Sequence, residues 1–412
     1  MKRFLVVLAV ISLVGLLLLP SIGCKPKAKP LEGKVTFWEQ MDPAELEVFK
    51  ALVANFEINN PTLKIEVTHY TNEELRDQFQ TATLAGQGPD FILAPNDFAG
   101  PFVTMKLLKS ADEVFDKAFL NLFVESALNS TKLTGKVWGV PDRNGNHLML
   151  IYNKDMLPEP PKDTDELITL AKKFTDAKAG KYGFVFNIAE PFWVVPWLGG
   201  YGGWVMDENN NPTLDTEAMV KTVKWLKDLK DIHKIVPPEC DYGLADTLFK
   251  EQKSPMIING DWSLGGYSAL NMGVTRIPKV KETGLWPSPM TSSKAYFFNK
   301  DLSGDKLTIV KKFIEFITLS ENQMEFVKKL RILPSKKEAA NLPEIANDLV
   351  LKGSMDQMVV GKPMPVVPEM RAIWDSIRSH YEAVLAGIKK PEDAAKDMQS
   401  DALKKIKEMR GE

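Results

Sequence analysis

The chain has 412 residues, 44% of them apolar and 26% charged, with a formal net charge of -2 at pH 7. That length exceeds the roughly 250 to 300 residues at which a single core stops growing, so an ordinary globular composition predicts two lobes with separate cores. The near-neutral charge excludes the strong basic excess expected of a nucleic-acid binder, and it gives no basis for holding a membrane surface by charge.

At the N-terminus, Lys2 and Arg3 precede an apolar run from Phe4 to Leu19, followed by Pro20 and small residues up to Cys24. This is the layout of an export signal over residues 1–23, and the run is short for a transmembrane anchor. The segment resembles bacterial lipoprotein signals, which implies lipid attachment at Cys24. Ser21 and Gly23 also suit an ordinary signal peptidase cutting before Cys24. Residues 24–33, which include KPKAKP, read as a Pro-stiffened tether. Cys240 is the other cysteine; with Cys24 lipidated it has no intrachain disulfide partner, and its sequence neighbourhood marks a structural thiol.

KVTFWEQ (34–40) reads as a strand, and residues 43–57 carry a helical apolar period through Leu46, Phe49, Leu52, Val53 and Phe56. A second strand follows at 63–70, and Thr71 with Glu74 forms a capping box for a helix through Leu84. GPDFILAPND (88–97) gives a short buried strand. This βαβαβ spacing predicts parallel strands in an α/β lobe, with ligands bound beyond the strands' carboxyl ends, at loops carrying Asp42, Asn96 and Asp97.

A second α/β section spans about 148–290. It contains a strand at 148–153, helices at 163–177, 216–233 and 244–251, and a strand at 255–260. Between them lies FVFNIAEPFWVVPWLGGYGGW (184–204), five large rings behind one carboxylate, Glu190. Rings beside an acceptor suit a ligand with apolar faces and polar edges, such as a sugar, although core packing accounts equally well for any single ring. Trp38 falls in a strand pattern and reads as core. A strand at 295–300 and a helix at 305–320 resemble the first section again, and 338–412 is mostly helical.

LIYNKDMLPEPPKDTDEL, FNIAEPFWVVPWLGGYGGW, DYGLADTLFKEQKSPMIINGDW, PMPVVPEMRAIWDSIR and GQGPDFILAPNDFAG resemble segments of bacterial maltose-binding protein and its extracellular solute-binding relatives, in the same order along the mature chain. The resemblance implies a two-lobe, periplasmic-binding-protein (flytrap) α/β fold, each lobe a mostly parallel sheet flanked by helices. Residues 34–147 with 291–337 would form the N-lobe, and 148–290 with 338–412 the C-lobe. It implies an exported, lipid-tethered monomer, in the periplasm or on the outer face of the cytoplasmic membrane. There it would hand an oligosaccharide, with a maltodextrin-like glucan favoured, to the permease subunits of an ABC transporter, without cofactor or metal.

Carried over motif by motif, the resemblance implies stacking by Trp262 and Trp374, hydroxyl acceptance by Glu190 with Phe192 beside it, and an N-lobe acid at Asp97. It further implies contacts from Asp42, Asn146, Met364 and Arg378. Ala94 and Phe98 depart from the maltose protein's residues flanking the N-lobe acid, so the C-lobe wall is expected to carry more of the specificity.

Two rival readings remain open. Asp97 and Glu190 could flank a bond in an exported glycan-cleaving enzyme, since glycosidases use two carboxylates about 5 to 10 Å apart; alternatively the ligand is not a sugar. His69, His147, His233 and His380 form no ligand spacing, and neither a P-loop nor a G-x-S-x-G elbow is present. Asp207, Asn209 and Asn211 mimic the start of a calcium loop, but Pro212 and Ala218 stand where Gly and Glu are required, so a hairpin turn is expected.

Overall fold

The computed structural model describes residues 30–412, so the export signal and Cys24 lie outside the described residues. Alternating apolar residues build β1 (Gly33–Glu39), in which Val35 and Phe37 are buried and Trp38 is half-buried. In α1 (Pro43–Asn59), Val48, Phe49, Leu52, Val53 and Phe56 form one buried face, and Pro43 in the first turn costs no helical hydrogen bond. β2 (Leu63–His69) leads into α2 (Asn72–Leu84), which opens on the capping box of Thr71 and Glu74. β3 (Phe91–Pro95) is almost wholly buried.

β2, β1 and β3 are parallel neighbours. Two short strands follow, β4 (Leu108–Lys109) and β5 (Gly139–Pro141). The second sheet comprises β6 (Leu148–Asn153), β7 (Met256–Gly260) and β8 (Met272–Thr275), in the order β8-β6-β7. β9 (Lys294–Asn299) returns to the first sheet and pairs with β3, β4 and β5.

Strand direction departs from the expectation of a mostly parallel sheet in each lobe. The β2-β1-β3 part is parallel, but β9 runs against all its partners, and the named strands of the second sheet are antiparallel throughout. The reason is the connectivity. β6 carries the chain away from the first sheet and β7 brings it back, so that Leu148 at the start of one faces Gly260 at the end of the other.

Segments crossing between the sheets meet side by side. Gly145 bridges Ser292, and Arg143 bridges Pro334. Around the second sheet, the aromatic stretch forms α3 (Pro191–Gly200), whose Trp193, Val194, Val195, Trp197 and Leu198 are buried. α4 (Tyr242–Lys250) precedes β7, and α5 (Glu369–Leu385) packs against α6 (Pro391–Arg410) and α3. Helix 304–317 is followed by a separate helix, Ser320–Leu330, which the sequence reading did not anticipate. The Asp207 carboxylate accepts from the amides of Asn209 and Asn211, and Asn210 has φ 62°, the geometry of a turn. Cys240 is buried, and burial pushes its thiol up to about 12, consistent with an inert packing role. Among the described residues no helix is long and apolar enough to cross a membrane.

Candidate functional site: a ring-lined cleft

The loops after β1, β2 and β3 face α3, α4 and α5 across a cavity of about 490 Å³, a size usual for small-molecule sites. Asp42, Asp97, Asn146, Glu190, Phe192, Trp262, Met364, Trp374 and Arg378 all line it. Asn96 does not; it is buried, and its Nδ2 donates to the Ser130 carbonyl at 2.8 Å.

One wall is made of rings. Trp262 stands two residues after the end of β7, and its indole folds back over the chain at Gly260, where an added Cβ would lie 2.1 Å from the ring. Only glycine leaves that space, so the GDW motif is a steric requirement for the placement of Trp262. Phe192 stands 6.3 Å from Trp262 and 6.4 Å from Trp374, centroid to centroid. Trp193 is 6.2 Å from both Tyr242 and Trp262, and its indole N–H is anchored on the Ile258 carbonyl at 2.9 Å. Of the later tryptophans, Trp197 is fully buried in the core, and half-buried Trp204 lies under the Lys362 ammonium, 4.9 Å from its ring.

Glu190 occupies the N-cap position of α3 but makes no side-chain cap. Its carboxylate instead accepts two bonds from the Arg378 guanidinium, at 2.7 and 3.0 Å, a forked pairing that fixes both planes. Two residues expected as separate ligand contacts therefore act as one oriented unit. Met364 is buried, and its amide donates to the Thr291 carbonyl at 2.9 Å. The chain following it passes so close to the first lobe that a Cβ on Gly100 would sit 2.4 Å from the Val366 carbonyl.

The facing wall presents acids. Asp97, in the 3-10 turn after β3, accepts from the Trp374 indole N–H at 3.1 Å. Burial raises its carboxyl to about 6, with the Trp374 bond opposing the shift and the Glu73 charge adding to it. Asp42, at the N-cap of α1, makes no cap either; it accepts from the Tyr242 hydroxyl at 2.6 Å, and that hydroxyl in turn accepts from the Trp262 indole at 3.1 Å. Burial and Asp42 both hold the Tyr242 hydroxyl protonated. Asn146 stands at the crossing with φ 49°; its Nδ2 donates to Ser292 Oγ at 3.0 Å and its backbone N–H donates to Asp261 at 3.3 Å.

Buried charges brace the base of the cleft. The Arg143 guanidinium donates to Glu45 and, at 2.7 Å, to Asp142; Lys294 reaches Glu45 at 3.2 Å. Burial lowers Lys294 to about 8, helped by the Arg143 charge, and raises Asp142 to about 6. Such ions stay charged only when paired, so the crossing segments are locked to one arrangement of partners.

Sequence reasoning missed Tyr242, His69, Lys294 and Arg371 as cleft-lining residues. Tyr242 follows the helix cap Asp241 within the quoted DYGLADTL segment, and Arg371 lies one helical turn before Trp374, so helical spacing could have nominated both. Nothing local marks Lys294, because its neighbours come from Glu45 and Arg143.

The family model for bacterial extracellular solute-binding protein matches residues 51–352. A maltotriose-binding protein of Pyrococcus abyssi is 28% identical over 367 residues, 86% of this chain and 78% of that protein. A galactooligosaccharide-binding protein of Bacillus subtilis is 26% identical over 403 residues, 94% of this chain and 93% of its own length. Among solved structures, the maltose/maltodextrin-binding domain from Bdellovibrio bacteriovorus bound to maltotriose is 38% identical, with a TM-score of 0.88, covering 91% of this chain and all of that one.

Proposed function

The chain belongs to the bacterial extracellular solute-binding proteins, and from that premise we propose that it binds an oligosaccharide, a maltodextrin-like glucan first among candidates, between two closing lobes. The observation that carries this reading is that Phe192, Trp262 and Trp374, with Glu190 beside them, line one cavity together with Asp42 and Asp97 of the facing wall. The rings cover the flat faces of successive sugars, while the acids accept from hydroxyls at the edges. Each buried ring contributes roughly 1 to 3 kcal/mol and each hydrogen bond about 1. After ordering costs, the sum reaches the region of -8 kcal/mol, about micromolar affinity. Relatives named for maltotriose and galactooligosaccharides support the substrate class.

The nine cleft residues nominated from the sequence are the proposed ligand contacts. The proposed lobes are 34–147 with 291–337 and 148–290 with 338–412. The protein is an exported monomer, tethered through Cys24 after removal of residues 1–23, and it delivers its sugar to an ABC permease without chemical change. Closure is driven by contacts that the ligand makes only when both walls reach it.

A melting-shift screen of residues 25–412 against malto-, cello-, manno- and xylo-oligosaccharides and trehalose tests the reading. At least one glucan series raises Tm and perturbs tryptophan fluorescence. Failure of every sugar defeats it, as does turnover of a chromogenic oligosaccharide that Glu190→Gln abolishes.

A further inference from the structure

The rings of the cleft form one cluster: Trp193, Trp262 and Phe192 are mutual neighbours with centroids 5.8 to 6.3 Å apart, Tyr242 joins it at Trp193, and Trp374 joins it at Phe192. Trp374, held through Phe192, stands at the edge of this cluster. One helical turn toward the N-terminus of α5, about 5 Å along its axis, stands Arg371, and there an ion pair spans the cleft. Arg371 Nη1 lies 3.0 Å from Glu73 Oε2 on α2, 298 residues away in sequence.

The pair is held from both sides. Asp375, one turn further along α5, takes the rest of the Arg371 fork at 2.6 and 3.1 Å. Arg76 holds the same Glu73 oxygen at 2.9 Å. Glu73, Arg76 and Arg371 all line the cavity. A planar guanidinium gripped by two carboxylates is pre-organised in a way that a lone lysine would not be.

We propose that the Arg371–Glu73 pair is a chain-length stop: it ends the sugar-binding cleft beyond Trp374 and sets how many rings the protein accepts. This rests on the oligosaccharide reading above. A ligand continuing past Trp374 must break the pair or turn out of the cleft, whereas one ending at Trp374 leaves it intact. Because half-exposed ion pairs are individually weak, the stop discriminates by a modest factor and does not bar longer chains absolutely.

The test is isothermal titration of residues 25–412 with the linear malto-oligosaccharide series from two to seven glucoses, in the wild type and in Arg371→Ala, Glu73→Gln, the double variant and Arg371→Lys. The readout is the affinity for the longest sugar divided by that for maltotriose. It rises about five-fold in Arg371→Ala and in the isosteric Glu73→Gln, rises no further in the double variant, and stays nearer the wild-type value in Arg371→Lys. In the wild type, raising salt moves the ratio the same way, because the pair is partly open to solvent.

An unchanged ratio in both single variants, or equal weakening at every length, overturns the proposal while leaving sugar binding intact. If the wild type binds no member of this or any other glucan series, the oligosaccharide reading fails first and the stop falls with it.

Discussion

On the second-lobe wall of the cleft, Trp262, Phe192 and Trp374 are placed by packing within their own lobe, with Gly260 clearing the space for one and α3 and α5 carrying the others. On the first-lobe wall, Asp42 and Asp97 make no helix caps, and they accept hydrogen bonds from Tyr242 and Trp374 on the far side. One wall is therefore complete in itself, while the other takes its hydrogen bonds from across the gap. This division suits a flytrap. A ligand can settle first on the rings, and closure then brings the acids to its hydroxyls in place of the tyrosine and indole donors.

The largest effect is expected beneath both walls. Arg143→Ala leaves Glu45 and Asp142 buried without their shared cation, and urea unfolding without ligand should show a loss of about 3 to 5 kcal/mol. A loss below about 1 kcal/mol would mean that the charged base does not brace the crossing.

Removing rings tests the self-sufficient wall. Trp262→Ala and Trp374→Ala should each weaken binding of the preferred sugar by roughly ten- to a hundred-fold, the equivalent of about 1 to 3 kcal/mol. Trp197→Ala should instead lower Tm, since that ring is core. If the two cleft variants bind normally, the rings are packing and not platform.

The acid wall is tested through pH. Asp97 is raised to about 6, and in the proposed site its ionised form is the one that accepts from a sugar hydroxyl. Affinity should be flat above pH 7 and fall as pH drops through 6, and Asp97→Asn should flatten this profile with a loss of about ten-fold at pH 7.5. For stability the sign is opposite. A carboxyl raised in the folded state stabilises fully below its unfolded value near 4, and that contribution is lost as pH climbs through 6. Asp142 shares this behaviour, so Asp97→Asn removes only part of it. Parallel changes in affinity and Tm with pH would contradict the assignment.

The smallest effect belongs to the cross-cleft donor. Tyr242→Phe removes one hydroxyl from the Trp262–Tyr242–Asp42 chain and should change affinity by no more than about ten-fold, with the ring retained. A loss as large as that of Trp262→Ala would show that the two walls are not separable.

Much of this is legible in the chain alone. The βαβαβ start rests on local signals, namely the alternation in 34–40, the apolar period of 43–57 and the Thr71–Glu74 box, and each depends on residues within one element. Glu190, Trp262 and Trp374 were nominated through the segments that resemble solute-binding proteins. The direction of the second sheet's strands escaped, because βαβ spacing says nothing of a chain that leaves one lobe and returns to it.

The sequence by itself determined the strands and helices of the βαβαβ start, that two cores are required, and that a dense set of rings sits after one carboxylate. These follow from hydrophobic period, caps and turn residues, which act over a few positions. Only the tertiary structure decided which groups meet: Glu190 with Arg378, Asp97 with Trp374, Asp42 with Tyr242, and Glu73 with Arg371. Those partners lie 188 to 298 residues apart. Side-chain type restricts such a pairing but does not choose it; the choice comes from which loops the two sheets and their crossing segments bring face to face.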